Sequence, residues 1–407
     1  ATMTTKNIPT DIELTPFDEG YRANPYPTLA RLRENAPVRR DHEFHRIHLS
    51  RADDVSRTLR DKDLWSDPRK ANEDAYVRML TWDRGDGSGE PSMLFADNPD
   101  HARLRGLVNQ AFTPRAGEAM RPRARAIAEE LLDGVADGEF DFMDRIAGPY
   151  PTIVIAEMLG IDPSLRDDFK RWSDDYNDAA FDVLRNEDTM RAGAEAQAAL
   201  DALFLNEVRI RRETPSDDLI GAMVAAEAEG GSLSDAEIVQ QCILLLVAGN
   251  ITTTDLVGNG LKALMDHPEQ WAALKADPGL MKNAVEEMLR YDSPVTYTGR
   301  IANEDRDIRG CPIHKGESVF NALAAANHDP EWTAHPERFD IAREKIRHHS
   351  FGGGRHFCLG APLARLEAQE LFAALIERMP DLTPSDREPV YRAIPSFRGM
   401  SEYWVRV

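Results

Sequence analysis

The sequence predicts a mainly α-helical protein with small β-sheets, and two observations support this class. Most segments carry apolar residues at helical spacing and end near glycine or a charged cluster. The clearest helical patterns are residues 117–138 and 190–213. Strand-like stretches are few and short: residues 44–50, 307–323 and 401–407. Since no repeat or long linker divides the chain, we expect a single domain over residues 1–407, with a short polar segment at about residues 1–15.

Composition limits the class of protein and its partners. The 407 residues carry a net charge of −21, which makes nucleic acid an unexpected general partner. The opening twenty residues are polar and do not resemble a secretory leader. The longest apolar run, residues 242–249, is much shorter than the roughly 20 residues of a membrane span. With three cysteines and no disulfide framework, we expect a cytoplasmic protein without a membrane anchor.

One predicted helix is long and has an unusual middle. Ser234 and Glu237 form a capping-box pattern at its start, and Pro268 ends it. More than thirty residues span about 50 Å at 1.5 Å per residue. Gly249–Thr254, in the middle, are all weaker helix formers than alanine. Two interpretations stay open: a tolerated flaw in a buried helix, or a local widening where a ligand lies against it.

A single thiol, Cys358, follows three glycines and precedes a helical pattern that has Pro362 in its first turn. A helix N-terminus favours the thiolate, which is both the nucleophilic and the ligating form of cysteine. Cys242 and Cys311 lie in settings typical of structural cysteines. A catalytic nucleophile needs an oriented basic partner, and His356, two residues away, is poorly placed for that role. The pattern favours a ligand, although no second cysteine stands at metal-site spacing.

The stretch FGGGRHFCLG resembles the haem-binding signature of the cytochrome P450 family. Other motifs follow the family in the same order along nearly the whole chain: HARLR, AGNIT, EMLR, TGRI, AAANHDP and HPERF. The resemblance implies the cytochrome P450 fold, with a long central helix over haem, and the branch of soluble bacterial haem-thiolate monooxygenases. It further implies haem b with an axial thiolate, and O₂, as cofactors.

Roles are carried over from the family by position. Cys358 would be the proximal thiolate ligand of the iron, donating electron density that favours O–O cleavage. Phe351 and Gly360 belong to the same cofactor-binding signature. Ala248 and Gly249 would leave room for dioxygen. The side chains expected to neutralise the haem propionates are His101, Arg105, Arg300 and His356.

The family places a threonine in the middle of the long helix, and Thr252 matches it. This hydroxyl would help to deliver protons while oxygen is activated. The family usually has a carboxylate immediately before the threonine, whereas this chain has Ile251. Isoleucine cannot connect the relay to solvent, so Asn250, Thr253 or Asp255 would have to replace it through water. A peroxide-driven enzyme is an alternative, because the usual acid is missing.

The family also implies a structural charge network and a reaction. Glu287, Arg290 and Arg338 would form a buried triad that is costly to break at any one member. The reaction is insertion of one oxygen atom from O₂ into a substrate C–H or related bond. A haem-binding sensor or carrier without turnover would have little need of a hydroxyl or of a substrate pocket. A cysteine-nucleophile hydrolase would leave the EMLR motif unexplained.

Substrate and partner are less closely defined. Residues 76–95 have the mixed apolar and glycine content of a mobile lid. The predicted pocket residues are mostly apolar and indicate a small to medium hydrophobic substrate: Val247, Ile251, Val295, Thr296 and Phe397. Electrons from NAD(P)H would arrive through a separate ferredoxin-type iron–sulfur protein and its reductase. Residues 101–125 hold six arginines and one acid, Glu118. These arginines either form a basic face that docks the ferredoxin, or they face the haem and solvate a helix. We expect the protein to be a monomer.

Overall fold

The structure, a computed structural model, describes residues 7–75, 77–78, 92–135, 138–182, 184–228 and 231–407. About 57% of the chain is helical, and the sheets are small, which confirms the predicted class. The chain forms two compact units. The first comprises Ala1–Asp97, Glu286–Cys358 and Tyr391–Gly399, and the second comprises Asn98–Val285, Leu359–Val390 and Met400–Val407.

The α-helices are named in chain order. They are α1 (Glu19–Ala23), α2 (Tyr26–Asn35), α3 (Ala52–Arg60), α4 (Asp100–Ala111), α5 (Pro114–Ala119), α6 (Arg121–Asp133), α7 (Pro149–Leu159), α8 (Arg166–Phe181), α9 (Glu187–Glu213), α10 (Leu219–Ala225), α11 (Asp235–Asp266), α12 (Pro268–Ala276), α13 (Met281–Tyr291), α14 (Leu323–Asn327) and α15 (Ala361–Arg378). The helical pattern at 190–213 corresponds to α9. The pattern at 117–138 instead falls on α5 and α6, because Pro122 begins a new helix there.

The strands are short, as expected. They are β1 (Val38–Asp41), β2 (Arg46–Leu49), β3 (Glu139–Asp141), β4 (Glu227–Ala228), β5 (Gly231–Ser232), β6 (Tyr297–Ile301), β7 (Arg306–Ile308), β8 (Cys311–Ile313), β9 (Ser318–Ala322), β10 (Thr383–Pro384), β11 (Val390–Tyr391), β12 (Met400–Glu402) and β13 (Trp404–Arg406). In the first unit, β1, β2, β9 and β6 form one sheet in that order. Its β2 runs parallel to β9, while the other two pairings are antiparallel.

The long helix α11 dominates the second unit. Ser234 accepts from the Glu237 amide, and Glu237 accepts from the Ser234 amide, so the predicted capping box is present. The helix packs on α7, α9 and α15 and runs unbroken through Gly249–Thr254. Its 32 residues are long and apolar enough for a membrane span, but half of the most apolar window is buried inside the protein. Burial of this kind is typical of a core helix.

Candidate functional site

The loop before α15 has a backbone that requires glycine. Gly352 and Gly354 adopt left-handed φ angles of 70° and 66°. A Cβ on Gly354 would lie 2.2 Å from the Leu59 carbonyl oxygen, so no other residue fits there. The Cys358 amide donates to the Phe351 carbonyl at 3.0 Å and closes the loop. Cys358 is partly exposed, three residues before α15 begins at Ala361.

Asn327, at the end of α14, anchors the start of this loop. Its side-chain oxygen accepts from the His349 amide at 2.7 Å, and its side-chain nitrogen donates to Ser350 Oγ at 3.0 Å. Ser350 Oγ donates in turn to the Leu289 carbonyl at 2.6 Å and accepts from Ser293 Oγ at 2.9 Å. Asn327 belongs to the AAANHDP motif, whose role is not evident from the sequence alone. The paired donor and acceptor of this asparagine hold the loop immediately before Phe351.

The other two thiols have different surroundings. Cys242 is fully buried in α11, and burial raises the pKa of its thiol, so it is protonated at neutral pH. Cys311 is partly exposed in β8, and partial burial raises its thiol pKa as well. Neither precedes a helix. Cys358 is therefore the thiol whose position favours a ligating thiolate.

Arg300, on β6, is a buried cation without a carboxylate partner at ion-pair distance in the described part of the chain. It is 7% exposed, and its guanidinium donates to the neighbouring Gly299 carbonyl at 2.8 Å. Burial and the nearby Arg355 lower the pKa of Arg300 to about 10. The nearest carboxylate that influences it, Asp97, already accepts from Lys70 at 2.9 Å. An anionic group beside Arg300 would relieve this cost of burial.

The remaining predicted propionate contacts lie in two places. His101 and Arg105 are four residues apart on α4, hence on one helical face, and His101 is buried. His356 lies in the Cys358 loop, in the short 3₁₀ turn Gly354–His356. His101 and Arg105 belong to the second unit, and His356 belongs to the first unit with Arg300.

The middle of α11 has an open face. Ala248 is exposed, and Gly249 is partly exposed with no atom within 4 Å of where a Cβ would lie. The Thr252 hydroxyl is on this open side and donates to the Ala248 carbonyl at 2.6 Å. The expected hydroxyl is therefore partly exposed beside the small residues Ala248 and Gly249, in a helix that is otherwise largely buried. No widening of the helix accompanies it.

The residues considered as replacements for the missing carboxylate are not equivalent. Asn250 lies about 200° around the helix from Thr252. It is buried, and its side-chain oxygen is 3.5 Å from the Thr254 hydroxyl, which itself donates to the Ala147 carbonyl. Asp255 shares a helical face with Thr252 and is fully buried. Of the two, only Asp255 has the position that a relay to Thr252 requires.

Glu367 was missed by the sequence analysis. It is on α15, 3% exposed, and the Thr253 hydroxyl donates to its carboxyl group. Burial raises the pKa of Glu367 to about 8, so the carboxyl group carries a proton at neutral pH. Within the helical pattern of residues 361–378 this glutamate looks like an ordinary surface residue. Only the packing of α15 against α11 reveals a protonated acid next to the threonine run.

We expect Glu367 to make the protein less stable as the pH rises. Its pKa is higher in the folded protein than the ordinary value of 4.5, so the folded state binds the proton more tightly. This contribution is fully present below about pH 4.5 and is lost as the pH approaches 8. The loss is roughly 3–5 kcal/mol by linkage.

The measurement is urea unfolding of the native protein and of Glu367→Gln between pH 5 and pH 9. The amide cannot ionise, so the variant should gain stability relative to the native protein as the pH rises. All other titrating groups are common to both proteins. A stability difference that stays constant across this range would contradict the assignment of a buried, protonated acid.

The predicted charge triad is wrong in one member. Glu287 and Arg290 are both fully buried and form two hydrogen bonds of 2.8 Å. The third partner is Arg343, whose Nε is 3.0 Å from Glu287 Oε1, and not Arg338. The Arg338 side chain is exposed; this residue contributes only its backbone carbonyl, which accepts from Arg290 and Arg343 at 2.9 Å. Between the two arginines the chain makes a turn, in which the Arg343 amide donates to the Asp340 carbonyl at 3.3 Å.

The predicted pocket residues form two local groups. In the first unit, Val295 pairs with Phe397 in an isolated β-bridge, and the Thr296 amide donates to the Ser396 carbonyl at 2.9 Å. In the second unit, Val247 and Ile251 are four residues apart on α11. Most of the predicted lid, residue 76 and residues 79–91, lies outside the described residues.

The arginine-rich segment 101–125 is not the strongly basic surface that its own composition suggests. Four of its arginines pair with acids distant in sequence: Arg103 with Glu237, Arg121 with Glu370, Arg123 with Glu157, and Arg125 with Glu377. Arg115 is exposed and has no ion pair in the described part of the chain. The composition of the segment does not reveal these acids, because they lie outside it in sequence and approach its arginines only in the folded chain.

Comparison with known proteins defines the family. The cytochrome P450 family model matches residues 69–391. The chain is 38% identical to cytochrome P450 107B1 of Saccharopolyspora erythraea over 99% of each chain. It is also 38% identical to the 6-deoxyerythronolide B hydroxylase of that organism, over 96% of this chain and 97% of the relative. The solved structure of CYP109E1 from Bacillus megaterium with testosterone has a TM-score of 0.84 at 35% identity, covering 94% of this chain and 99% of that one.

The chain therefore belongs to the cytochrome P450 family. It is a cytochrome P450 monooxygenase, an oxidoreductase that incorporates oxygen from O₂, as the sequence analysis predicted. The family implies a haem with thiolate ligation. The residues present fit this group: Cys358 is a partly exposed thiol before a helix, and Arg300 is a buried cation suited to a propionate.

Proposed function

We propose that Cys358 ligates haem iron in a monooxygenase that oxidises a small to medium hydrophobic molecule. The partly exposed thiol in a glycine-shaped loop before α15 is the observation that carries this proposal. Haem, when bound, supplies the iron at which O₂ is reduced and one oxygen atom is passed to the substrate. Asn327 keeps the loop in place through His349 and Ser350. The helix terminus of α15 favours the ionised thiol.

The other residues hold the cofactor and the substrate. Arg300 and His356, with His101 and Arg105, neutralise the propionates, while Phe351 and Gly360 complete the signature around the thiolate. Ala248 and Gly249 leave space for dioxygen beside α11. The substrate contacts are Val247, Ile251, Val295, Thr296 and Phe397. The enzyme works as a monomeric cytoplasmic protein. Its residues 1–407 form one cytochrome P450 domain that begins with a short polar segment of about fifteen residues.

The test is the absorption spectrum of the purified, reduced protein exposed to carbon monoxide. A thiolate-ligated haem gives a band well to the red of that of a histidine-ligated haem. Absence of any haem band would end the proposal. Product formed with NADH, a ferredoxin and its reductase separates a monooxygenase from a sensor or carrier. Product formed with hydrogen peroxide but not with the electron-transfer proteins would identify the peroxide-driven alternative.

We propose that protons reach Thr252 past Asp255, with Asn250 contributing only through the buried contact to Thr254. Asp255 and Thr252 share a face of α11, which supports this route over one through Asn250. In Thr252→Ala and Asp255→Asn, product formed per NADH consumed should fall by about tenfold if each group moves a proton. Asn250→Ser is the matched control and should keep native coupling. Unchanged coupling in both test variants would exclude the route.

The electron donor is proposed to be an acidic ferredoxin that docks near Arg115. This arginine is exposed and unpaired in the described part of the chain, whereas Arg123 pairs with Glu157 at 2.7 Å. Arg115→Glu should slow reduction about tenfold at low salt, and less at high salt, because steering by charge is screened. Arg123→Glu is the control, with a smaller effect. Stopped-flow reduction that is equal in Arg115→Glu and the native protein would argue against this docking surface.

A further inference from the structure

The open face of α11 continues beyond the small residues Ala248 and Gly249 toward the start of the helix. Leu244 and Leu245, one turn before Ala248, are both partly exposed. Gln241 comes one turn earlier still. Seven residues are close to two whole turns, so Gln241 and Ala248 lie within about 20° of each other around the helix. The face that carries the space expected for dioxygen therefore leads to an amide side chain.

Gln241 is a buried amide whose hydrogen-bonding capacity is not used. It is 2% exposed, and its side-chain oxygen has no donor at hydrogen-bond distance in the described part of the chain. A side-chain amide both accepts and donates hydrogen bonds. Burying such a group unpaired costs free energy, and the cost is removed when a ligand supplies the partner. An apolar residue at this position would avoid the cost, so the amide indicates a ligand.

A second amide of the same kind is on α8, which packs against α11. Asn177 is 7% exposed, and its side-chain oxygen has no donor at hydrogen-bond distance within the described residues. Two residues away on either side, Asp175 and Ala179 approach α9 so closely that a Cβ on Gly193 would clash with the Ala179 side chain. Two residues turn a helix by about 200°, so Asn177 faces away from this contact. It therefore does not face α9, and α11 is among the remaining helices that pack against α8.

The surroundings of these two amides indicate what kind of ligand fits. Residues 241–252 of α11 include no charged side chain, and the buried residues of α8 are Phe169, Ser173 and Asn177. A buried ion needs a charged partner, whereas amides can satisfy a neutral polar group. A hydroxyl group donates one hydrogen bond and accepts others, which matches the acceptor and donors of an amide. The site thus favours an alcohol over a carboxylate or an ammonium ion.

We propose that Gln241 and Asn177 bind a hydroxyl group of the substrate, at the end of the molecule remote from the carbon that is oxidised. The inference rests on the proposed function, because Gln241 shares its helical face with Ala248 and Thr252. Seven residues at 1.5 Å each place Gln241 about 10 Å from Ala248 along the helix axis. The substrate class is therefore an elongated apolar alcohol, oxidised about 10 Å from its hydroxyl group.

The experiment uses the haem-loaded full chain with decan-1-ol and its methyl ether as probes. The ether keeps the apolar chain and the oxygen atom but cannot donate a hydrogen bond. Calorimetry measures the two dissociation constants, and the shift of the haem band reports occupation of the substrate site. The alcohol should bind about tenfold more tightly than the ether, as expected for one or two neutral hydrogen bonds.

Gln241→Met keeps the length of the side chain and removes its amide. This variant should bind the alcohol only as tightly as the ether, with the affinity for the ether unchanged, and Asn177→Leu should lose part of the same preference. Without ligand, Gln241→Met should unfold at a higher urea concentration than the native protein, because it no longer buries an unpaired amide. Gln197→Met is the matched control, since Gln197 is an exposed residue of α9, and it should change neither measurement.

Equal affinity of the native protein for alcohol and ether would overturn the inference, and so would equal weakening of both probes by Gln241→Met. Unfolding of that variant at a lower urea concentration would show a structural role for the amide and would have the same consequence. Decanoate that binds more tightly than decan-1-ol would exclude a neutral site. A thiolate-type carbon monoxide band without an alcohol preference removes only this inference. Absence of that band contradicts the proposed function, and calorimetry still decides whether the hydroxyl group is recognised.

Discussion

Replacing Cys358 with histidine should move the carbon monoxide band of the reduced protein to the position of a histidine-ligated haem and abolish monooxygenation. Imidazole is neutral and donates less electron density than a thiolate does, so it would favour O–O cleavage less strongly. Changes in groups that merely support a metal ligand typically cost 10–100-fold, so loss of the ligand itself should exceed about a hundredfold. The measurements are the reduced carbon monoxide spectrum and the rate of product formation.

Cys311→Ser is the matched control for this experiment. Cys311 is also partly exposed, but it lies in β8, where its thiol contacts the Pro312 carbonyl at 3.8 Å. This variant should retain the native band and activity. A native band in Cys358→His, or a shifted band in Cys311→Ser, would show that the ligand had been assigned to the wrong thiol.

Breaking the buried pair of Glu287 and Arg290 should have the largest effect on stability. Arg290→Leu leaves the Glu287 carboxylate fully buried with one charged partner, Arg343, and such losses cost about 3–5 kcal/mol. Arg343→Gln removes one hydrogen bond from the same carboxylate and should cost about 1–3 kcal/mol. The measurement is the free energy of unfolding in urea, taken from midpoint and slope together.

Arg338→Gln distinguishes the predicted triad from the observed network. The Arg338 side chain is exposed, and the backbone carbonyl that accepts from Arg290 survives the substitution. Its stability should therefore change by no more than about 0.5 kcal/mol, as for other surface substitutions. If Arg338→Gln were as destabilising as Arg343→Gln, the assignment based on the HPERF motif would be restored.

These two experiments concern residues whose proposed roles rest on different kinds of evidence. Cys358 was recognisable because its surroundings are local: glycines that permit a left-handed backbone, then a proline that starts a helix. The third partner of Glu287 was not recognisable from the sequence. The folded path of the chain determines which arginine side chain reaches the buried carboxylate. Arg343 and Arg338 are both basic and five residues apart, and sequence spacing alone does not say which one turns inward.

The other features divide in the same way. Those that depend on residues close in sequence were expected, and those that depend on packing between distant segments were missed. The capping box of α11 and the Thr252 hydroxyl follow from neighbours within one or two helical turns, and both were expected. Glu367 needs the packing of α15 on α11 before its carboxyl group can be seen to be protonated. The arginines of α6 needed the acids of α15 and α7 before their charge could be seen to be compensated.

The sequence by itself determined the mainly helical class, the family, the long capped helix and the thiol before α15. These depend on periodicity and on short motifs, whose physical basis lies within a few residues of each position. Only the tertiary structure decided that Arg343 completes the charge network, that Asn327 anchors the Cys358 loop, and that Glu367 keeps its proton. Each of these depends on desolvation and hydrogen bonding between segments distant in the chain, and neither quantity exists until the segments are packed together.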